Sequence, residues 1–177
     1  MNGICKVFWL FGRSGAGKTT LALHLRDGLV QQNIPVVYFD GDEMRSTLCS
    51  DLGFQSAARL ENHRRIAEIS RVLTRQNLNV VVSTMAPEYE HRDLVTRTVG
   101  DPLVWFYIDA PLAVCVARDP KGIYKRAQAG QLKQLLDYPF GEPRPQENAH
   151  HVDTVAYNVE ECHQLILAAA QAQLGRA

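Results

Sequence analysis

No run of apolar residues in this sequence comes near the ~20 needed to cross a bilayer. No Cys-x-x-Cys pair occurs either. Cys5, Cys49, Cys115 and Cys162 are scattered, and His163 beside Cys162 makes no metal pattern with them, so free thiols of a reducing compartment are expected. Neither charge is in excess. Lys+Arg and Asp+Glu both total 19, so there is no global bias towards nucleic acid or a membrane surface. The N-terminus lacks a basic n-region followed by a small-residue cleavage site, and a cytoplasmic protein is expected. No Asn-Lys-x-Asp sequence is present to read guanine, which argues against a GTPase-like switch. Internal repeats, low-complexity tracts and linkers are also missing, so residues 1–177 read as a single domain.

What is present begins at Val7. An apolar run to Phe11 leads into Gly12, Arg13, Ser14, Gly15, Ala16, Gly17, Lys18, Thr19 and Thr20. This is a complete Gly-x-x-x-x-Gly-Lys-Thr pattern between an expected strand and an expected helix, the context a phosphate-binding loop requires. Its glycines allow successive N–H groups to face phosphate oxygens at the positive end of a helix dipole. Lys18 brings a cation to the β and γ phosphates. The Thr19 hydroxyl is a hard oxygen ligand for Mg²⁺. ATP and Mg²⁺ are the cofactors this loop implies.

Five strands are expected, at Lys6–Phe11, Val36–Phe39, Val80–Thr84, Leu103–Ile108 and His151–Val155. Helices are expected over 19–32, 43–48, 57–76, 88–98, 112–118 and 159–174, with Leu60, Ile66, Ile69, Val72 and Leu73 as the buried stripe of the third. Alternating strands and helices imply an α/β fold, a five-stranded parallel sheet with helices on both faces. The phosphate loop, Asp40-Gly41-Asp42, Ser83–Pro87 and Asp109 fall at strand carboxyl ends and should share one crevice. The Pro/Gly-rich stretch 138–145 reads as part of a lid or binding loop.

Several residues could carry chemistry there. Asp40 and Asp42 could take a proton from an acceptor hydroxyl or help hold Mg²⁺ through water. Arg45, Arg59, Arg64 and Arg65 surround Phe54, and guanidinium forks suit phosphate and sulfate oxygens. Asn62 shares a helix face with Arg59. Two readings of Phe54 stand, a stacking platform or a core residue. Arg118, Lys121, Lys125 and Arg126 place four cations in nine positions, suited to closing over a triphosphate. His63 and His91 lie near the crevice with open roles. The six histidines show no ligand spacing, and His150, His151 and His163 read as structural or surface residues.

Taken together, these motifs resemble adenylylsulfate kinases over roughly Val7 to Pro143. The specific matches are the phosphate loop, Asp40-Gly-Asp-x-x-Arg45, Leu52-Gly-Phe54, Arg59-x-x-Asn62-x-Arg64-Arg65, and the run from Arg118 to Gly130. The resemblance implies a P-loop kinase fold in three layers with a lid at approximately 119–145. It implies transfer of the ATP γ-phosphate to the ribose 3′-hydroxyl of adenylylsulfate. Asp42 would be the base, with Lys18 and Lys121 the other catalytic groups. Asp40, Arg45, Arg59 and Asn62 would hold the acceptor nucleotide, Phe54 would stack on its base, and Arg118 would lie near the ATP adenine. Relatives commonly dimerise, so a homodimer is a candidate assembly.

Departures from the family pattern fall on the acceptor side. Where the family has Phe-Ile-Ser-Pro-Tyr-Arg, this chain has Thr84-Met85-Ala86-Pro87-Glu88-Tyr89. Met85 and Ala86 would line the acceptor pocket, and Ala86 forbids a phosphoserine intermediate. The lid's second aromatic becomes Leu135. An altered base pocket leaves a different nucleotide acceptor open, such as cytidine diphosphoramidate. A non-catalytic ATP-binding module is the remaining reading.

Overall fold

The computed structural model describes residues 5–132 and 140–175. Strand β1 (Val7–Phe11) is the centre of the molecule, and every one of its residues is buried. It leads into α1 (Lys18–Gln31), β2 (Val36–Asp40), α2 (Gly41–Ser46), α3 (Ser56–Thr74) and β3 (Asn79–Thr84). Then come α4 (Tyr89–Val99), β4 (Leu103–Asp109), α5 (Leu112–Arg118), α6 (Ile123–Gln128), β5 (His150–Asp153) and α7 (Val159–Gln173). The strands form one sheet in the order β2-β3-β1-β4-β5, and every pairing is parallel.

Continuous apolar runs form these strands because both sheet faces are covered. Alternation along β1 divides its side chains between two cores. Phe8 and Leu10 pack with Leu21, Leu25 and Leu29 of α1 and Ile166 of α7. Val7, Trp9 and Phe11 point the other way, to Ile66 and Ala67 of α3 and Val95 and Val99 of α4. The three-layer α/β architecture is therefore as expected.

The apolar stripe of α3 differs from expectation. On α3 the buried face is Asn62, His63, Ile66, Ala67 and Ser70, while Val72 is exposed. On α7 it is Cys162, Ile166 and Ala170, with Leu165 exposed. The i, i+4 spacing holds in both helices. On α3, close packing against α4 and the sheet selects small and polar residues in place of the longest apolar ones.

Of the lid expected at 119–145, its two described parts are differently held. Helix α6 is docked on the phosphate loop through buried Tyr124, whose hydroxyl donates to the Ser14 carbonyl at 2.9 Å. Beyond the second part's start, Phe140 stacks on Phe11 and Tyr107, and the Gly141 N–H donates to the Pro87 carbonyl at 2.9 Å. Residues 140–145 are thus anchored to the body of the domain. No helix among the described residues is long and apolar enough to cross a membrane.

Candidate active site

The phosphate loop joins the end of β1 to the start of α1. Gly12, Gly15 and Gly17 all have positive φ. At Gly12 the need for glycine is steric as well, because a Cβ would lie 2.2 Å from the Ile108 carbonyl oxygen of β4. The Gly12 N–H donates to the Met85 carbonyl at 3.4 Å, tying the loop to the end of β3. Ala16 is buried, Arg13 lies over the Phe140 ring, and Thr20 is exposed in the first turn of α1. That turn carries no acidic side chain, which leaves its N–H groups to an anion.

Lys18 folds back and donates to the Arg13 carbonyl at 2.7 Å. Desolvation pulls its pKa down to about 8, against the opposing pull of the Asp42 carboxylate. A polyphosphate arriving at the loop would supply the compensating charge and push it up again.

Next to Lys18, the Thr19 hydroxyl donates to Asp40 Oδ2 at 3.1 Å. Asp40 also accepts from Tyr38 and Ser83, at 3.0 and 3.1 Å, and caps α2 through the Asp42 and Glu43 N–H groups. Burial pushes the Asp40 pKa up, but these hydrogen bonds outweigh it and hold the carboxyl below its ordinary value. The Thr19 and Asp40 oxygens fit a hard cation such as Mg²⁺, bound directly or through water.

Asp42 stands in the first turn of α2, exposed over the crevice, and pairs with Lys121 at 2.5 Å. Its carboxylate raises the Lys121 pKa despite the opposing effect of burial. Lys121 lies between α5 and α6, so this pair joins that connection to the end of β2. On the far wall, Arg118 donates to the Thr154 hydroxyl at 2.9 Å and to its carbonyl at 2.7 Å. That hydroxyl lies 3.0 Å from the carbonyls of both Ala16 and Asp109. Thr154 is therefore the joint of the loop, β4 and Arg118. Nothing in the sequence marked it out.

The side on which the acceptor is expected is built around Phe54. Its ring is 70% exposed, so the core reading is set aside. Arg45 sits over the ring at 5.3 Å and donates to the Gly53 carbonyl at 3.0 Å. Arg59 Nε donates to the Phe54 carbonyl at 2.8 Å. Burial, then the neighbouring Arg59, lowers the Arg45 pKa, as two guanidiniums beside one loop require.

Other sequence candidates are placed differently. Arg64 pairs with Glu61, and Arg65 with Asp51 and Glu61. Their forks are committed to carboxylates of α3 and of the turn before it, which corrects their reading as anion ligands. Ala86 is fully buried at φ 39° and has no surface to offer an acceptor, while Met85 is half-buried. Leu135 lies outside the described residues.

Behind Phe54 lies a polar cluster. Asn62, His63 and His91 are all buried, and Asn62 Oδ1, His63 Nε2 and both His91 nitrogens meet no hydrogen-bond partner among the described residues. The His63 ring stacks on Trp9 at 6.2 Å and on His91 at 4.7 Å. Burial, with His91 as the next cause, pulls the His63 pKa down to about 3, and burial also lowers that of His91. The folded chain refuses a proton that the unfolded chain accepts near pH 6.5. Stability from these groups is therefore present above that pH and is lost as pH falls towards 3. One such histidine is worth about 1.4 kcal/mol for each pH unit below 6.5. Urea midpoints at pH 7 and pH 5 should accordingly fall further for wild type than for His63→Leu. Equal falls would show that His63 is not held neutral.

A family model for adenylylsulphate kinase matches residues 4–153. The chain belongs to the adenylylsulfate kinase family. The adenylyl-sulfate kinase of Aeromonas salmonicida (strain A449) is 42% identical over 144 residues, 80% of this chain and 74% of its own. That of Enterobacter sp. (strain 638) is 39% identical over 148 residues, 83% of this chain and 74% of its own. Among solved structures, the Mycobacterium tuberculosis APS kinase in complex with AMPPNP and APS superposes with a TM-score of 0.89 at 30% identity. The match covers 96% of this chain and 99% of that one. Membership makes this chain an ATP-dependent phosphotransferase with an alcohol acceptor, working with Mg²⁺.

Proposed function

We propose that this adenylylsulfate kinase family member acts on adenylylsulfate itself, transferring the γ-phosphoryl of ATP to the ribose 3′-hydroxyl. The observation that carries the reading is the Asp42–Lys121 pair, standing between the Lys18 loop and the Phe54–Arg45–Arg59 wall. The adenylyl-sulfate kinase relatives support the acceptor, and they lend no support to cytidine diphosphoramidate.

Phosphoryl transfer asks a protein for position and charge more than covalent chemistry. The loop N–H groups and Lys18 hold the β and γ phosphates, with Arg13, Ser14 and Thr20 shaping the loop and Arg118 flanking the adenine. Thr19 and Asp40 would hold Mg²⁺, which would supply positive charge against the phosphate oxygens. Phe54 offers a face to the acceptor base, while Arg45 and Arg59 hold its sulfated side; Asn62, buried on α3, backs that wall and offers the acceptor no surface. Asp42 takes the 3′-hydroxyl proton as the hydroxyl attacks, and Lys121 passes from Asp42 to the transferring group. Ala86 stands where a serine intermediate would form, so transfer is direct. The whole chain is one kinase domain, with residues 119–132 as the described part of its lid.

Coupled ADP release tests the reading. Adenylylsulfate should give turnover, and cytidine diphosphoramidate should give none above background; the reverse result would overturn the acceptor. Base–aromatic stacking is worth about 1–3 kcal/mol, so Phe54→Ala should raise KM for adenylylsulfate roughly 5- to 150-fold. KM for ATP should stay within about twofold of wild type. A KM change shared equally by both substrates would remove Phe54 from the acceptor wall.

A further inference from the structure

Away from the crevice, α1 and α7 run side by side in the same direction, joined near their C-terminal ends by a hydrogen bond from Gln171 to Gln32 at 2.9 Å. Nearer their N-terminal ends, His24 of α1 meets His163 and Glu160 of α7. The two imidazoles are edge to face, 5.3 Å between centroids at 89°. His163 Nδ1 is 4.0 Å from Glu160 Oε1. One ligand atom from each of the three residues lies within 4.8 Å of the others.

Two observations set this cluster apart from ordinary surface histidines. His163 Nε2 is buried and has no hydrogen-bond partner among the described residues. The ring also comes down on Gly28, where a Cβ would stand 3.1 Å from Nε2, so glycine is what admits it. Glu160 is mostly exposed and, among the described residues, receives a single 3.2 Å hydrogen bond, from Gln164, which leaves its carboxylate able to swing.

We propose that His24, Glu160 and His163 bind a divalent transition ion of the Zn²⁺ class, bridging α1 to α7. Two imidazoles and a carboxylate are the donor set that Zn²⁺ takes when it keeps a fourth position for water. Mg²⁺ wants an octahedron of hard oxygens, so the catalytic ion does not compete here. Ligand atoms around tetrahedral Zn²⁺ stand about 3.3 Å apart. Rotation of the exposed Glu160 side chain with small shifts of the two rings would close the remaining gap. His24 lies six residues beyond Lys18, about 9 Å along α1, so the ion anchors the helix that carries Lys18 and Thr19 at its start. An ion held only by the folded chain stabilises it by mass action.

The test uses the full chain, stripped with a chelator and titrated with ZnCl₂ without nucleotide. Wild type should bind an ion and gain thermal stability. The His24→Gln and His163→Gln variants, checked for folding by circular dichroism, should bind roughly tenfold more weakly or worse. The double variant should show no Zn²⁺-dependent gain, yet keep wild-type turnover with Mg²⁺-ATP. Co²⁺ in wild type should give the visible absorption of a four-coordinate nitrogen and oxygen site. No binding, equal binding by wild type and the double variant, or a thiolate-to-cobalt band placing the ion on a cysteine would each overturn the proposal.

Discussion

Asp42→Asn is expected to lower kcat by about 10²- to 10⁴-fold, the usual worth of a positioned general base. The substitution keeps size and hydrogen bonding but removes the charge that accepts the proton. It also frees Lys121, whose partner at 2.5 Å is this carboxylate. The phosphate loop should hardly notice. Lys18 rests on the Arg13 carbonyl, and Thr19 is hydrogen-bonded to Asp40. Binding of a non-hydrolysable ATP analogue should therefore stay within about threefold of wild type while turnover collapses. Asp40→Asn makes the contrast. Asp40 holds Thr19 and caps α2, so its loss should weaken Mg²⁺-ATP binding and the start of the helix together. Single-turnover kinetics separate the two. If Asp42→Asn turned over at the wild-type rate, another group would have to take the proton, and the assignment would fall.

Much of this arrangement is legible in the sequence, and the reasons are physical. A strand buried on both faces has to be a continuous apolar run, so β1, β3 and β4 announce themselves. A loop whose glycines need positive φ and close approach to β4 tolerates few other residues. Parallel topology then places every strand's carboxyl end at one edge, and Asp40 falls beside Thr19 without further information.

Partnership through space is what the sequence conceals. Arg64 and Arg65 look like anion forks until Glu61 and Asp51 are found holding them. Thr154 is an ordinary threonine until it is seen joining Ala16, Asp109 and Arg118. His24 and His163 stand 139 positions apart and meet only because α1 and α7 lie together. Helix α3 shows the same limit in its core. Its buried face includes Asn62, His63 and Ser70, which a search for apolar residues passes over.

Arg92 is the strongest case, because a polar helix residue turns out to be wholly buried. Its Nε donates to Glu147 at 3.0 Å, Nη1 to the Ala86 carbonyl at 2.8 Å and Nη2 to the Glu142 carbonyl at 3.2 Å. The guanidinium also lies 4.9 Å from the ring centres of both Phe11 and Tyr89. Glu147 is itself nearly buried and accepts from Arg144, which pairs in turn with Asp93. Breaking a buried pair costs about 3–5 kcal/mol, and here Glu147 would keep Arg144 while the Ala86 and Glu142 carbonyls lose their donor, so the lower end of that range is expected. That is a large share of the roughly 5–15 kcal/mol that holds a domain folded. Arg92→Ala should thus bring the urea midpoint down sharply. Activity should fall with it, since the same guanidinium fixes the Ala86 carbonyl one residue beyond the Met85 carbonyl that receives the Gly12 N–H. Arg92→Leu with Glu147→Leu should recover part of the stability, because no buried carboxylate then lacks its Arg92 partner and Arg144 keeps Asp93. It should not recover the activity, because the Ala86 carbonyl still lacks its donor. A double variant no more stable than Arg92→Ala would mean that packing around the guanidinium stem, and not its charge, carries the effect.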